Sequence, residues 1–480
     1  MFSIKLDPEA KIYMYEQIYN QIKDEIKKGK TPPHTKLPST RLLSNNLGVS
    51  RNTVDLAYSQ LLSEGYIESR PKSGYYVCPL SEHSNIQIKK EVMSREESVT
   101  SYQFDFSPFA SDINNFPFYT WRKLSKEAMS EYNNHLFLLG NSQGDRDLRI
   151  AICDYLRSFR SVNCNPDQII IGAGADYLLQ LLCQILNNDS NTKIAMENPT
   201  YMRAYNIFKG FSYDVFPISL DKNGISIKEL NDTNANIAYV TPSHQYPLGI
   251  VMPIARRLEL LQWAKEGSRY IIEDDHDSEF RYKGKPIPSL QGVDTNHKVI
   301  YLGTFSRALT KALRVGYMVL PKDLYHIYKT KYHYYSSTVS RVDQFILTGF
   351  ITKGYFERHL NKMRKIYKNK QEVLIKALKV FANKIEVDGE HAGLHLVVKF
   401  HTELNEDEII SIASKNSIRL YPLSKHYITM EKTLYSKGNL ITSTNKNEPY
   451  PSFLFGFANL SEEELEAGII RLHESLRDIL

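Results

Sequence analysis

Cysteine is scarce in this sequence of 480 residues. The four cysteines, Cys78, Cys153, Cys164 and Cys183, show no Cys-x-x-Cys spacing. Metal centres and disulfide frameworks are built from closely spaced or paired cysteines, so neither is expected here. Reduced thiols inside a protein core are the simpler interpretation, and they indicate a cytoplasmic location.

Long apolar runs are also missing. No stretch of about 18 or more apolar residues occurs, so we expect no membrane-spanning helix. The first residues lack the basic region and the apolar core of a signal peptide. Apolar residues make up 42% and charged residues 24% of the chain, which is ordinary for a globular protein. A chain of this length is expected to form two or three domains.

Acidic residues are absent between Glu25 and Asp55, although the net charge of the whole chain is only +6. The same region carries six basic residues: Lys27, Lys28, Lys30, Lys36, Arg41 and Arg51. A solvated basic face would explain the charge alone. However, helix caps at Ser39 and Ser50 and a glycine turn at Gly48 predict two short helices, and two strands are expected to follow. This order is typical of a helix-turn-helix with a basic wing.

Three segments, Leu37–Arg41, Leu47–Val54 and Leu61–Tyr66, resemble the GntR type of winged helix. The resemblance implies that the second helix of the motif enters the major groove of double-stranded DNA. It assigns six residues to DNA contacts: Arg41, Ser50, Arg51, Thr53, Lys72 and Gly74. Side chains at a helix N-terminus reach base edges, and a basic residue on the preceding helix approaches phosphate. Residues 1–78 are therefore interpreted as a DNA-binding domain.

A polar segment of mixed charge, residues 79–101, is interpreted as a linker. From residue 102 to residue 480, short apolar strands alternate with helices such as Ala175–Leu186 and Ala255–Glu266, which predicts an α/β domain with a mainly parallel sheet. Strands are expected at Ile169–Ile171, Lys193–Met196, Ile237–Thr241, Tyr270–Glu273, Val299–Leu302 and Val315–Leu320. The pattern beyond about residue 390 suggests a smaller α+β subdomain, residues 390–480.

Polar residues and glycines follow three of the expected strands. They are Gly172–Asp176, Asp274–His276, and the loop that contains Thr304, Ser306 and Arg314. Ligands of open α/β sheets bind beyond the carboxyl ends of the strands. Hydroxyl groups, backbone N–H groups at a helix start and a guanidinium all suit an anionic phosphate. The three strand ends therefore predict one crevice that binds a small anion.

Five segments occur in the order found in fold-type I aminotransferase-like domains: Gly172–Ala175, Glu197–Arg203, Thr241–Gly249, Ile271–Phe280 and Gly303–Val319. Behind a GntR-type winged helix, this order resembles the MocR-type transcriptional regulators, and their GABA-responsive member is the closest relative suggested. The resemblance implies a fold-type I large domain of the kind that uses pyridoxal phosphate (PLP), followed by a smaller C-terminal α+β domain. It also implies a homodimer and repeated DNA half-sites.

The same resemblance implies a role for each residue of a PLP pocket. The implied cofactor residues are Gly174, Ala175, Asp176, Tyr201, Asp274, His276, Thr304, Ser306, Arg307 and Arg314. Tyr201 would stack on the pyridine ring, Asp274 would pair with the ring nitrogen, and Arg314 would bind phosphate. Arg203 and the residue at Asn459 would meet a ligand carboxylate. The structural alternatives are a helix cap for Asp274, a core position for Tyr201 and an internal salt bridge for Arg314.

Four positions depart from the family pattern. Arg307 stands where the family has the lysine that forms the Schiff base, and a guanidinium stays protonated and cannot be that nucleophile. His276 replaces a tyrosine, Asp176 replaces a hydroxyl or amide beside the phosphate, and Asn459 replaces a carboxylate-binding arginine. A buried cation needs a partner, so we expect Arg307 to pair with a ligand anion, or with Asp274 when no ligand is bound.

The favoured hypothesis is a MocR-type regulator whose aminotransferase-like domain senses a small anionic ligand without turnover. Noncovalently bound PLP and an unrelated anion are both open as that ligand. One alternative is a working aminotransferase or a covalently PLP-loaded regulator. It requires either that Arg307 is an introduced change or that another amine, such as Lys311, takes the role. The other alternative is a structural module that only pairs the winged helices.

Overall fold

The computed structural model describes most of the chain. The described ranges are 4–8, 10, 12–79, 102–187, 192–282, 287–429, 433–436, 439–442, 450–477 and 479. The chain divides into two compact units, Met1–Thr100 and Ser101–Leu480. The expected linker, residues 79–101, lies outside the described residues except for Pro79 and therefore stays a prediction.

The first unit is a small winged helix. It contains helices α1 (Met14–Lys27), α2 (Thr40–Leu47) and α3 (Arg51–Ser63) and wing strands β1 (Ile67–Arg70) and β2 (Gly74–Val77). The wing strands are antiparallel, with Ile67 opposite Val77. Apolar side chains that recur every three or four residues on α1 and α3, such as Ile18, Ile22 and Val54, are buried. Burial of this helical stripe holds the three helices together.

Serine caps set the starts of α2 and α3, as the sequence predicted. Ser39 Oγ accepts a hydrogen bond from Leu42 N at 3.2 Å, and Ser50 Oγ accepts one from Thr53 N at 3.1 Å. Gly48 connects the two helices with a φ of 66°, a left-handed conformation that glycine adopts without steric cost. The helix-turn-helix geometry of the prediction is confirmed.

The second unit contains most of the helices and strands. Its strands are β3 (Phe104–Asp105), β4 (Ile169–Gly172), β5 (Lys193–Asn198), β6 (Asp214–Asp221), β7 (Gly224–Ile225), β8 (Ile237–Val240), β9 (Tyr270–Asp274), β10 (Val299–Thr304), β11 (Gly316–Val319), β12 (Ile385–Asp388), β13 (His395–Phe400), β14 (Ile418–Arg419), β15 (Tyr421–Pro422), β16 (Thr433–Ser436), β17 (Asn439–Thr442) and β18 (Ser452–Gly456). Its helices are α4 (Phe118–Ala128), α5 (Arg146–Arg160), α6 (Ala175–Leu186), α7 (Met202–Gly210), α8 (Ile227–Asn231), α9 (Ile254–Glu266), α10 (Lys322–Lys331), α11 (Arg341–Thr352), α12 (Tyr355–Leu378), α13 (Glu406–Lys415) and α14 (Glu462–Leu476).

Eight of these strands form one large sheet in the order β4-β11-β10-β9-β8-β5-β6-β7. Strands β10, β9, β8, β5 and β6 are parallel to one another, whereas β11 is antiparallel to both β10 and β4, and β7 is antiparallel to β6. The carboxyl ends of β4, β5, β8, β9 and β10 therefore lie along one edge of the sheet. The prediction of an α/β domain with a mainly parallel sheet is confirmed.

A smaller antiparallel sheet forms the C-terminal part of the second unit, in the order β12-β13-β18-β15. It begins at Ile385, close to the expected boundary near residue 390. A separate two-stranded sheet connects the start of the unit to this C-terminal part, because Phe104 on β3 pairs in parallel with Ile418 on β14. Among the residues that the structure describes, no helix combines the length and the apolar character needed to cross a bilayer.

Candidate functional site

A cavity of about 310 Å³ lies at the edge of the large sheet where the carboxyl ends of the strands meet. Most of the residues that the sequence assigned to a pocket line it: Ala175, Asp176, Tyr201, Arg203, Asp274, His276, Thr304, Ser306, Arg307 and Arg314. The rest of the lining was not assigned from the sequence: Phe109, Met202, Thr241, Tyr246, Lys311 and His426. Strand topology explains the convergence, because these residues follow β4, β5, β8, β9 and β10 or pack against them.

Three aspartates at and beyond the end of β9 have three different partners. Asp274 accepts a hydrogen bond from Tyr239 Oη on β8 at 2.5 Å. Asp275 is buried and accepts two hydrogen bonds from Arg160, at 2.8 and 2.9 Å. Asp277 is buried as well and pairs with an arginine of the phosphate-type loop. Of the three carboxylates, only that of Asp274 lines the cavity.

Arg307 is held by the protein itself. Its Nε and Nη2 donate to the two carboxylate oxygens of Asp277 at 2.7 and 3.0 Å. Its Nη1 donates to the carbonyl oxygens of Pro108 and Ala110 at 3.0 and 3.3 Å. The expectation that Arg307 pairs with Asp274 in the absence of ligand is therefore wrong. The fork of a guanidinium needs both oxygens of one carboxylate, and Asp277 offers both while Asp274 is already bound by Tyr239.

Electrostatics agree with this pairing. Burial alone would raise the pKa of Asp277, but the Arg307 guanidinium outweighs burial and holds that pKa well below its usual range. Burial lowers the pKa of Arg307, and the Asp277 carboxylate more than restores it. The pair is therefore ionised at neutral pH, and the guanidinium at position 307 carries no free amine.

Asp274 and His276 present two neighbouring polar groups to the cavity. Burial raises the pKa of Asp274 to about 6, while the hydrogen bond from Tyr239 lowers it in part. Asp274 is consequently a carboxylate above that pH. Burial lowers the pKa of His276 to about 4, so its imidazole is neutral near pH 7. Within the described ranges, His276 Nδ1 has no hydrogen-bond partner.

Asp176, in the first turn of α6, is shared by two arginines. Its Oδ2 lies 3.3 Å from Arg314 Nη2 and 3.4 Å from Arg203 Nη1. The three side chains are partly exposed, so these ion pairs are weak and can be exchanged for contacts to a ligand. Gly174 allows Arg314 this approach, because a Cβ at Gly174 would lie 2.9 Å from Arg314 Nη2. The charge of Asp176 is thus matched by the two arginines and not directed away from them.

Thr304 and Ser306 form the turn that leaves β10. Ser306 N donates to Thr304 Oγ1 at 3.0 Å, which fixes the turn beside the cavity. Tyr201 lies just before α7 and contacts Tyr246 edge to face, with 6.1 Å between the ring centroids. Burial raises the pKa of Tyr201 to about 12, so its hydroxyl stays protonated.

Asn459 lies apart from these residues. It does not line the cavity, and its Nδ2 donates to the Asp105 carbonyl at 3.0 Å. The carboxylate-binding role that the resemblance implied for position 459 therefore stays a prediction without support from the cavity lining.

Among the residues missed, Tyr246 had a usable signal in the sequence, because the segment Thr241–Gly249 follows β8 at the same edge of the sheet.

The residues assigned to DNA contacts lie on α2, on α3 and at the turn of the wing. Arg41, Arg51 and Lys72 are exposed, and Arg51 Nε lies 3.6 Å from Asp55 Oδ2 within α3. Ser50 and Thr53 bond to each other, with 2.8 Å between their hydroxyl oxygens. The six residues are thus Arg41 on α2, then Ser50, Arg51 and Thr53 at the start of α3, and Lys72 and Gly74 at the wing.

Comparisons with known proteins agree with both units. Residues 14–77 match the model of the bacterial regulatory proteins of the gntR family, and residues 109–471 match that of aminotransferase class I and II. The helix-turn-helix regulator YdeL of Bacillus subtilis (strain 168) is 37% identical over 96% of each chain. The probable rhizopine catabolism regulatory protein MocR of Rhizobium meliloti is 31% identical over 98% of this chain and 95% of that protein.

Among solved structures, the kynurenine aminotransferase of Pyrococcus horikoshii, crystallised with PMP, substrates and products, is similar. It superposes with a TM-score of 0.67, covers 83% of this chain and 99% of that enzyme, and is 23% identical. This likeness shows the fold of the second unit.

Proposed function

Because this chain belongs to the MocR-type transcriptional regulators, in which a GntR-type winged helix precedes an aminotransferase class I and II domain, we propose that it couples DNA binding to reversible binding of a small anion. The winged helix binds DNA, and the aminotransferase-like unit holds the anion without converting it. We expect the protein to act in the cytoplasm.

The observation that carries this proposal is the state of Arg307. All three nitrogens of its guanidinium donate to Asp277 and to two backbone carbonyls. A guanidinium that remains protonated and is held by four hydrogen bonds supplies neither a nucleophilic amine nor a base. The cavity therefore keeps its binding groups, and position 307 lacks the amine that the resemblance implies for covalent chemistry.

PLP is a suitable noncovalent ligand for the residues present. Asp274 would pair with the pyridine nitrogen, the face of Tyr201 would cover the ring, and Thr304, Ser306 and Arg314 would hold the phosphate. When bound, PLP supplies an electron sink for carbanion chemistry. Arg314 would exchange Asp176 for the phosphate, and the weakness of that exposed ion pair permits the exchange.

The working aminotransferase is the less favoured alternative, because it requires either an amine where Arg307 stands or that Lys311, four residues later, takes the role. The purely structural module is less favoured as well. A scaffold that only pairs winged helices has no need for Tyr201, Asp274, Ser306 and Arg314 in one cavity.

DNA binding measured with and without ligand tests the proposal. A labelled fragment from upstream of the gene for this protein would be titrated with the protein, in the presence and absence of PLP. We expect the apparent affinity to change by about fivefold or more, the usual size of coupling between two sites. Amino acids added with PLP should yield no keto acid. An unchanged DNA affinity in saturating PLP, together with keto acid production, would contradict the proposal.

A further inference from the structure

Lys311 is a cation of the cavity with no anionic partner among the described residues. It lies in a single helical turn four residues after Arg307 and lines the cavity. Within the described ranges, its ammonium group has neither a hydrogen bond nor an ion pair. Its Nζ lies 5.3 Å from the centroid of the Phe109 ring, a cation–π contact. Lys311 is an exposed residue of the cavity, and an aromatic face does not neutralise its ammonium group.

The other cations of the cavity differ from Lys311 in this respect. Arg307 holds both oxygens of Asp277, and Arg203 and Arg314 share Asp176. The cavity and its wall thus contain four cations and, with Asp274, Asp176 and Asp277, three carboxylates. Cations are therefore in excess by one, and among the described residues Lys311 is the one of the four that pairs with no carboxylate.

The surroundings of Lys311 also favour the binding of an anion there. Burial, followed by the charges of Arg307 and Arg203, lowers the pKa of Lys311 to about 8. No acidic group contributes to this shift. An ammonium group that is repelled by two guanidinium groups gains more from an incoming anion than a solvated lysine would.

We propose that Lys311 forms the subsite for the carboxylate of a small organic acid, whose apolar body packs against Phe109. This inference rests on the proposed function and assigns the anion to a residue of the cavity. It also accounts for position 459, where the resemblance implied an arginine and the structure has an asparagine outside the lining. The cation that meets the ligand carboxylate is supplied from the loop after β10 instead.

A carboxylate fits this subsite better than a phosphate does. A single ammonium beside an aromatic ring balances one negative charge and offers three donors. A phosphate carries more charge and needs several hydroxyl and N–H donors, and these lie near Thr304, Ser306 and Arg314. The subsite at Lys311 is therefore expected to prefer monoanionic carboxylates over inorganic phosphate.

Calorimetric titration with benzoate, the neutral isostere benzamide and inorganic phosphate tests the assignment. At about pH 7, where Lys311 is charged, we expect benzoate to bind at least about tenfold more tightly than benzamide, the ratio typical of one charge-assisted hydrogen bond. Lys311→Met should abolish that preference, and Lys311→Arg should keep it. Lys322→Met, at an exposed lysine at the start of α10, is the matched control and should behave like the wild type.

The pH profile separates a direct contact from a change in folding. As the pH rises through about 8, wild-type Lys311 loses its charge, so benzoate binding should weaken. Lys311→Arg should show no such loss, because an arginine keeps its proton in this range. Peptide mapping after acetylation gives a readout that needs no ligand. At about pH 8, Lys311 should be acetylated at a higher rate than Lys322, because burial and the neighbouring guanidinium groups lower the pKa of Lys311 to about 8.

Two results would overturn the assignment: equal binding of benzoate and benzamide by the wild type, or an unchanged preference in Lys311→Met. Acetylation of Lys311 no faster than that of Lys322 would also count against it. These results are distinct from failure of the proposed function. If PLP still changes the DNA affinity of Lys311→Met while the benzoate preference persists, the proposed function stands and the subsite does not.

Discussion

At the scale of single residues, the Arg307–Asp277 pair determines what the cavity can do. Burying an ion is costly unless its partner is close and well oriented. Here the guanidinium holds both oxygens of the carboxylate, and Asp277 Oδ2 also accepts a hydrogen bond from Leu394 N at 3.2 Å. The pair therefore forms part of the folded structure, and the nucleophile that the fold family uses at this position is absent.

Breaking this pair should destabilise the second unit. In Asp277→Asn, the buried Arg307 loses its counter-charge, and we expect the free energy of unfolding to fall by about 3–5 kcal/mol. The double variant Arg307→Met with Asp277→Leu removes both charges. Its free energy of unfolding should fall by less than that of a variant with either substitution alone. Urea denaturation followed by circular dichroism measures all of them. An Asp277→Asn protein as stable as the wild type would show that the pair is not formed.

Protonation of Asp274 should limit ligand binding at low pH. The folded-state pKa of Asp274 is raised to about 6, so the side chain is a carboxylate above that pH and is neutral below it. A ring nitrogen that carries a proton needs the carboxylate, so PLP binding should weaken as the pH falls through about 6. Absorbance titrations with PLP at several pH values would reveal this decrease in binding. Asp274→Asn should bind PLP weakly, and its binding should not weaken further at low pH. A decrease that persists in that variant would belong to the titration of another group.

The sequence could locate the pocket but could not show which charged side chains pair with each other. Asp274, Asp275 and Asp277 lie within four positions of each other, and only their partners distinguish them. Those partners, Tyr239, Arg160 and Arg307, come from distant parts of the chain. Side chains of an extended segment alternate in direction, but which arginine meets which carboxylate depends on tertiary packing. For the same reason, the sequence did not reveal that Lys311 has no counter-charge.

At the scale of secondary structure, strand periodicity predicted most of the large sheet. The structure contains all the predicted strands whose ends line the pocket, and their bounds differ from the prediction by at most two residues at each end. Strand β6 was missed because Pro217 lies in its middle, and proline is a poor strand residue. The structure tolerates Pro217 because β7 pairs only with Leu220 and Asp221, so the outer edge of β6 at the proline has no strand partner among the described residues.

The start of α3 offers a test of the DNA-binding element. Ser50 caps this helix, and Ser50→Ala should lower the stability of the winged helix by about 1 kcal/mol. Ser50→Asp is the matched variant, because aspartate is also a good N-cap. It should keep the stability and lose DNA affinity, since its charge repels the phosphate backbone. Thermal unfolding and fluorescence anisotropy with the upstream fragment separate these effects. Wild-type DNA affinity in a folded Ser50→Asp protein would show that the start of α3 does not contact DNA.

At the scale of the whole molecule, the expected homodimer has a candidate surface in the second unit. Large apolar side chains between α4 and α5 are exposed in the single chain, including Tyr132 at 95% and Leu139 at 85%. Exposed apolar side chains in such numbers usually mark an interface.

Charged substitutions on this surface should dissociate the dimer. Tyr132→Glu combined with Leu139→Arg places charges where burial of apolar area would otherwise favour association, so we expect a monomer in sedimentation velocity experiments. Val380→Glu, at an exposed apolar position shortly before the smaller subdomain, is the control and should leave the dimer intact. A double variant that sediments as the wild type would place the interface elsewhere.

The central claim is that the aminotransferase-like cavity binds its ligand reversibly because position 307 carries no amine. Mass spectrometry of the protein after incubation with PLP and reduction with borohydride tests it most directly. We predict that all PLP is removed by dialysis and that no peptide of the cavity, including those with Arg307 and Lys311, carries added mass. The variant Arg307→Lys provides the positive control for the detection of a covalent adduct. A borohydride-fixed adduct on any lysine of the wild-type cavity would contradict the claim.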